Sequence, residues 1–323
     1  MPNRLPYYQL LIVFLFHPIL VEASSRTAKI VHKHQIITIT YPASFNQNER
    51  DTTYKWLMEV TRAARTVYGE LPRDKFTLTI RRSQNPSGPV PWGQIKRADP
   101  PAMLLVINPE FGYDALLRDW TAFHEIAHLL IPYNGYGGAW FSEGLASYYQ
   151  NIIQARSGLL TEIQMWKKIT TGLTRGKKQQ TYKHQELAKV SDAMSKNRQF
   201  MRVHWSGVLY WLKADVELRK QNKDNLDKLL KQLKDCCQKS SMSAKAIAIK
   251  LDALANAEIF VPLFEKFSNS HQLPEYESLL KNLGITEIKE GGEIKLQRNA
   301  MLANIRQDIY QPQAPAAIAP LRH

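Results

Sequence analysis

The stretch TAFHEIAHLL, residues 121–130, contains two histidines four positions apart. In an α-helix, side chains at i and i+4 lie on the same face, so His124 and His128 can direct imidazole nitrogens at one ion. Without a nearby cation, Glu125 would be a buried, unpaired carboxylate, which is energetically costly. Because a catalytic zinc ion takes three protein ligands and a water, the pair predicts a third donor elsewhere in the chain.

That donor is expected in WFSEGLASYY, residues 140–149, where Glu143 stands between Phe141 and Leu145. The Gly-rich residues 135–138 can turn the chain after the first helix and bring the start of a second helix back to the ion. The residues alone leave another interpretation open. The histidines could be packed in a core, and the glutamate could be a carboxylate favoured by a helix N-terminus.

HExxH followed by WFSEGLASYY resembles the gluzincin metallopeptidases, closest to bacterial glycyl-aminopeptidase-like proteins and zinc aminopeptidase catalytic domains. The resemblance implies a Zn²⁺ cofactor bound by His124, His128 and Glu143, with Glu125 as the general base. It also implies an α+β, thermolysin-like two-lobed catalytic domain, with an N-terminal mixed sheet with helices and a mainly helical C-terminal lobe. The substrate would be a peptide or a protein. Cleavage inside the peptide and cleavage at its N-terminus both remain open.

A second segment, RVHWSGVLYWLKAD at residues 202–215, resembles the aminopeptidase segment whose tyrosine donates a hydrogen bond to the oxyanion. His204 stands at the position of that tyrosine. Because a histidine can donate the same bond, we expect His204 to take this role, with Tyr210 and Tyr136 as alternative donors.

The segment WGQI, residues 92–95, lies where the aminopeptidases have a motif whose glutamate holds the free amine of the substrate. This chain has Gln94 there, so the resemblance gives no support for recognition of an amine. Substrate contacts are still expected in this region and on the later segment, from Trp92, Gly93, Gln94 and Tyr210.

The pattern along the chain agrees with two lobes. β-branched, alternating segments predict strands at 29–41 (a strand pair or one long strand), 76–80, 92–95 and 103–107, with a helix at 46–68. From residue 114 onward almost every segment has helical spacing, with helices predicted at 114–130, 140–156, 162–172, 205–220, 226–237, 244–256 and 276–283. The predicted organisation is therefore a signal peptide at 1–23, a strand-rich lobe at 24–113, a helical lobe with the zinc site at 114–310, and a disordered tail at 311–323.

The N-terminus has the pattern of an export signal. Arg4 precedes an apolar run at residues 10–21, and small residues stand before Ser24, which predicts cleavage after Ala23. A retained anchor or a buried helix is the alternative. Cleavage would make the mature protein periplasmic or secreted.

Charge limits the partners. The formal net charge is +14, spread over patches such as Arg81-Arg82 and Lys167-Lys168. Such a surface attracts anionic partners, namely cell-envelope polymers, anionic lipid or acidic peptides, or is simply solvated. The patches lack interleaved aromatic residues, so nucleic acid is not expected.

The two cysteines, Cys236 and Cys237, are adjacent. A disulfide that closes a long loop is therefore not possible within one chain. We expect packed thiols near the end of a helix, or a bond to another chain.

Two other functions remain open from the sequence. One is a catalytically weak zinc protein that binds peptides or envelope polymers, which the replaced tyrosine and the missing glutamate favour. The other is a zinc hydrolase that acts on a bond other than a peptide bond. The natural substrate and the oligomeric state are not indicated.

Overall fold

The computed structural model describes residues 26–85, 87–135, 138–179, 181–238, 241–288 and 292–311. The predicted signal peptide, Tyr136 and all but the first residue of the predicted tail lie outside these ranges. Among the helices of the described ranges, none combines the length and the apolar character needed to cross a bilayer.

The N-terminal lobe is built on a mixed sheet. Its strands are β1 (Thr27–His32), β2 (Gln35–Thr40), β3 (Lys75–Arg82), β4 (Trp92–Lys96) and β5 (Ala102–Ile107). They are ordered β1-β2-β3-β5-β4, with β2, β3 and β5 parallel and with β1 and β4 antiparallel to their neighbours. The first predicted segment is therefore a strand pair, and β4 is an edge strand of this sheet.

Helix α1 (Gln47–Ala64) connects β2 to β3 and covers one face of the sheet. Asn46 and Glu49 form a capping box that begins the helix, since each side chain accepts a hydrogen bond from the backbone N–H of the other. Alternate residues of β3 are buried, as expected for a strand with one face on a core. The core between sheet and helix includes Ile37, Ile39, Trp56, Leu57, Val60, Phe76, Leu78 and Ile80.

The remainder of the described chain is mainly helical, which confirms the predicted α+β class. The helices are α2 (Gly112–Arg118), α3 (Thr121–Ala127), α4 (Ala139–Arg156), α5 (Glu162–Lys178), α6 (Leu187–Asp192), α7 (Met194–Asn197), α8 (Phe200–Lys220), α9 (Leu226–Cys237), α10 (Ala244–Ala255), α11 (Phe260–Ser268), α12 (Glu277–Asn282) and α13 (Ala303–Tyr310). A two-stranded ribbon, β6 (Ile285–Glu287) and β7 (Ile294–Leu296), precedes the last helix.

The single helix predicted at 114–130 is wrong, because the chain is extended at Asp119, with ψ 144°. Its carboxylate accepts a hydrogen bond from the N–H of Thr121 at 2.7 Å, which starts a new helix there. The helix also tightens at its end, where residues His128–Leu130 form a 3-10 turn.

The prediction of packed thiols is also wrong. The sulfurs of Cys236 and Cys237 are bonded to each other at the end of α9. Adjacency prevents the closure of a long loop, but it does not prevent a bond between the neighbours themselves.

Helices α4 and α8 cross at two glycines, and this crossing positions the site. A Cβ on Gly207 would lie 2.6 Å from the Cα of Gly144, and it would also collide with the carbonyl oxygen of Trp140. Only hydrogen atoms fit between the two backbones at this point. Glu143 precedes one glycine, and His204 lies about one turn before the other, so the contact brings both side chains to the same place.

Candidate metal centre

The structure brings together the three predicted metal ligands. His124 is on α3, His128 begins the following 3-10 turn, and Glu143 is in the first turns of α4. One potential ligand atom from each lies within 4.8 Å of the others. The Glu143 Oε2 atom is 3.1 Å from His124 Nε2 and 3.6 Å from His128 Nε2. A single cation could therefore be bound by two imidazoles and one carboxylate.

One face of α4 supports this cluster. Glu143, Ser147 and Gln150 follow the i, i+4, i+7 spacing of a helix face. The Gln150 Oε1 atom is 2.8 Å from Nδ1 of His124 and can accept a hydrogen bond from it. With Nδ1 as the donor in this bond, Nε2 could present a lone pair to a cation bound in the cluster. Gln150 was not predicted, although its spacing from Glu143 could have indicated it.

The protonation of the ligands is set by their contacts. Burial alone would raise the pKa of Glu143, but the charge of His128 and the hydrogen bonds of His124 and His128 hold it well below its usual value. For His124 burial acts to lower the pKa, and the carboxylate of Glu143 raises it above the usual value. An anionic carboxylate facing two imidazoles is the donor set typical of zinc peptidases.

Glu125 lies beside the cluster under the edge strand β4. Its side chain is buried, and burial raises its pKa, although the nearby imidazoles of His128 and His124 act in the opposite direction. A Cβ on Gly93 of β4 would lie 2.6 Å from Cγ of Glu125 and 3.0 Å from Oε1. The strand can pass this close to the carboxylate only because residue 93 has no side chain.

His204 reaches the same cluster from α8. Its Nε2 atom lies 3.6 Å from Oε2 of Glu143, and its ring stacks on that of His124 with centroids 6.0 Å apart. The Nδ1 atom is 3.3 Å from the hydroxyl of Ser147. Burial lowers the pKa of His204 to about 4, so its imidazole is neutral at pH 7.

A cleft of about 830 Å³ opens over these residues. It is lined by most of the residues predicted for the site, namely Trp92, Gly93, Gln94, His124, Glu125, His128, Glu143 and His204. The prediction that Tyr210 contacts the substrate is wrong, because Tyr210 does not line the cleft. Its ring is buried among the aromatic residues of the helical lobe, and its hydroxyl donates a hydrogen bond to the carbonyl of Phe260 at 3.1 Å.

The cleft is also lined by a positively charged side chain, that of Arg97. Arg97 follows β4 directly and lines the end of the cleft near Tyr133, with its guanidinium 5.2 Å from the centre of that ring. The sequence analysis did not single out this residue. Its position two residues beyond the segment that resembles the substrate-binding strand, residues 92–95, was the available signal.

The fold and the His-His-Glu cluster resemble those of the gluzincin zinc metallopeptidases, in agreement with the resemblance seen in the sequence. The family model of the M61 glycyl aminopeptidases matches residues 134–225, a range that contains Glu143 and His204. A search of curated protein sequences finds no match to this chain.

Two of the solved structures that this chain resembles are described as an aminopeptidase N family protein and an M1 zinc metallopeptidase. An aminopeptidase N family protein from Idiomarina loihiensis superposes with a TM-score of 0.60 at 16% identity, over 80% of this chain and 49% of that protein. An M1 zinc metallopeptidase from Deinococcus radiodurans matches with a TM-score of 0.44 at 12% identity, over 77% of this chain and 52% of that protein. The chain thus spans about half the length of these proteins, and the Idiomarina match establishes the fold.

Proposed function

We propose that the chain is a zinc-dependent peptidase in which Glu125 is the general base. The observation that carries the proposal is the convergence of the His124, His128 and Glu143 ligand atoms within 4.8 Å, beside a buried carboxylate that is not one of the three. The donor set fits zinc, and Gln150 can hold one of the imidazoles in the tautomer that a metal requires. When bound, zinc would polarise the scissile carbonyl and acidify water.

The residues of the chain then have separate roles. Glu125 takes a proton from the attacking water and passes it to the leaving amine, a role that typically contributes about 10² to 10⁴ in rate. In this proposal β4 binds the extended substrate by backbone pairing at the sheet edge, with Trp92, Gly93 and Gln94 along its length.

His204 would stabilise the oxyanion. If the hydroxyl of Ser147 donates to Nδ1, the remaining proton of the neutral ring is on Nε2, on the side that faces Glu143 and the cleft. An N–H group aimed at the developing negative charge is the arrangement that this role requires. In this proposal His204 takes the role of the tyrosine in the aminopeptidase segment that residues 202–215 resemble.

The decisive experiment compares three proteins loaded with zinc. Glu125→Gln should retain one zinc per chain and lose the hydrolysis of a quenched peptide library. Glu143→Ala should lose the zinc itself, since it removes the only carboxylate ligand. Glu110→Gln, at an exposed glutamate outside the cleft, is the matched control and should behave as the unchanged protein.

Mass spectrometry of the products would show where peptides are cut, and a chelator should abolish cleavage. Peptidase activity that persists in the Glu125 variant would remove this residue from the mechanism. A zinc-loaded protein that binds peptides without cutting them would support the second candidate function, a catalytically weak peptide-binding protein. Gln94 in place of a carboxylate is the specific feature that favours that candidate.

A further inference from the structure

Arg97 is a cation in the cleft, and among the described residues its guanidinium has no hydrogen bond and no ion pair. The guanidinium lies over the ring of Tyr133. The neighbouring guanidinium of Arg73 differs, because it donates hydrogen bonds to the carbonyls of Gln238 and Ile131. Asp99 lines the adjoining cavity with both arginines but forms no ion pair with Arg97.

The position of this guanidinium is energetically unfavourable as it stands. Burial lowers the pKa of Arg97, and the charges of Tyr133, Glu125 and Glu143 act in the opposite direction without restoring it. Neither glutamate is free to be its permanent partner, because one is the proposed base and the other a proposed metal ligand. A partly desolvated cation of this kind is stabilised most by an external carboxylate, which a guanidinium can bind through two parallel hydrogen bonds.

From these contacts we propose that Arg97 is a specificity-determining residue, which binds a carboxylate of the peptide substrate a few residues from the scissile bond. The proposal rests on the proposed peptidase function and names the class of substrate, peptides with an acidic group at one position. The carboxylate can belong to an aspartate or glutamate side chain or to the free C-terminus of the peptide. Gln94 is consistent with this assignment, since the strand has no carboxylate there to repel such a group.

The geometry limits where the acidic group can lie. Gly93 is directly over Glu125, and Arg97 is four residues further along the same strand direction. Four residues of extended chain span about 13 Å, and a guanidinium reaches several ångström back from its backbone. A peptide paired along β4 would therefore present its carboxylate about two to four residues from the bond that is cut.

The test uses two arginine variants and one matched control. Arg97→Gln removes the charge, and Arg97→Lys keeps the charge but loses the planar fork. Lys96→Gln removes an equal charge from the adjacent residue, which is exposed and does not line the cleft. Thermal melting of each variant shows whether it is folded.

The first readout is cleavage of a mixed peptide pool by zinc-loaded protein, scored by mass spectrometry for aspartate against asparagine and glutamate against glutamine at each position. Peptides with amidated and with free C-termini separate the two sources of the carboxylate. We expect kcat/KM to favour the acidic member of each pair by about tenfold or more at one position. That preference should disappear in Arg97→Gln, shrink in Arg97→Lys and persist in Lys96→Gln.

The second readout needs no turnover. The same pool is passed over immobilised Glu125→Gln protein, with and without Arg97→Gln, and the retained peptides are identified. Enrichment of acidic peptides that depends on Arg97 supports the proposal even if the peptidase function fails. The proposal is overturned if the unchanged protein shows no acidic preference in either readout. It is equally overturned if the Arg97 variants slow all substrates to the same extent, or if Lys96→Gln matches them.

Discussion

Substituting Gly93 by alanine should damage catalysis while leaving metal binding intact. The new Cβ would lie 2.6 Å from Cγ of Glu125, which is 0.8 Å below the 3.4 Å at which ordinary contacts begin, and 2.9 Å from Cγ2 of Thr121. Since the side chains of Glu125 and Thr121, on the same helix, both block the new Cβ, either β4 or these side chains must move, in the case of Glu125 by nearly 1 Å. A misplacement of that size costs roughly 10²-fold in rate, or about 2.7 kcal/mol of transition-state stabilisation.

The assay is kcat/KM for a peptide that the unchanged protein cleaves, measured beside the zinc content of each protein. None of the three metal ligands is among the nearest atoms to the added methyl group, so the zinc content should stay at one per chain. Gly88→Ala is the control, because its Cβ would meet no atom within 4 Å, and its rate should stay within about twofold of the unchanged protein. Full activity in Gly93→Ala would refute the idea that the strand holds Glu125 in place.

Two further predictions concern stability. Gly207→Ala should lower the free energy of unfolding by about 3 kcal/mol and the melting temperature by several degrees, because its methyl group would enter the backbone of Gly144. Thermal melting beside Gly88→Ala checks this, and an unchanged melting temperature would show that the helices can separate at no cost. Asp227→Ala should destabilise the fold by about 3 to 5 kcal/mol, because it removes the carboxylate that neutralises the buried guanidinium of Arg156, which keeps only its hydrogen bonds to the carbonyl of Ile309 among the described residues, and it removes the acceptor of the Tyr149 hydroxyl. Denaturant unfolding measures this loss, and a change below about 1 kcal/mol would mean that the pair contributes no net stability.

The cluster of His124, His128 and Glu143 was predictable from the sequence because each of these residues was identified by local rules. The i, i+4 spacing places His124 and His128 together because the turn between them is α-helical, and the 3-10 turn begins only at His128. Glu143 was identified by its unusual place in an apolar helix start. The sheet was predictable for the same reason, since alternation along a strand is itself local.

The features that could not be predicted from the sequence depend on contacts between distant segments. Tyr210 was expected in the cleft, but the aromatic cluster around Trp140 and Phe267 buries it. The residues that neighbour Tyr210 in the sequence do not indicate this burial. Gln150 and Arg97 were missed because their importance depends on contacts with residues that are distant in the sequence. Gln150 contacts His124, and Arg97 contacts Tyr133. The break at Asp119 was missed because helical spacing continues on both sides of it.

The glycine crossing of α4 and α8 has a consequence for how such a protein can change. At each of these glycines every other amino acid would add at least one carbon atom, and no carbon atom fits between the two backbones. Substitutions at these two glycines therefore cannot change the distance between Glu143 and His204 in small increments. Diversification of substrate choice is left to the strand side of the cleft, where residues such as Trp92 and Arg97 can be exchanged without disturbing the metal.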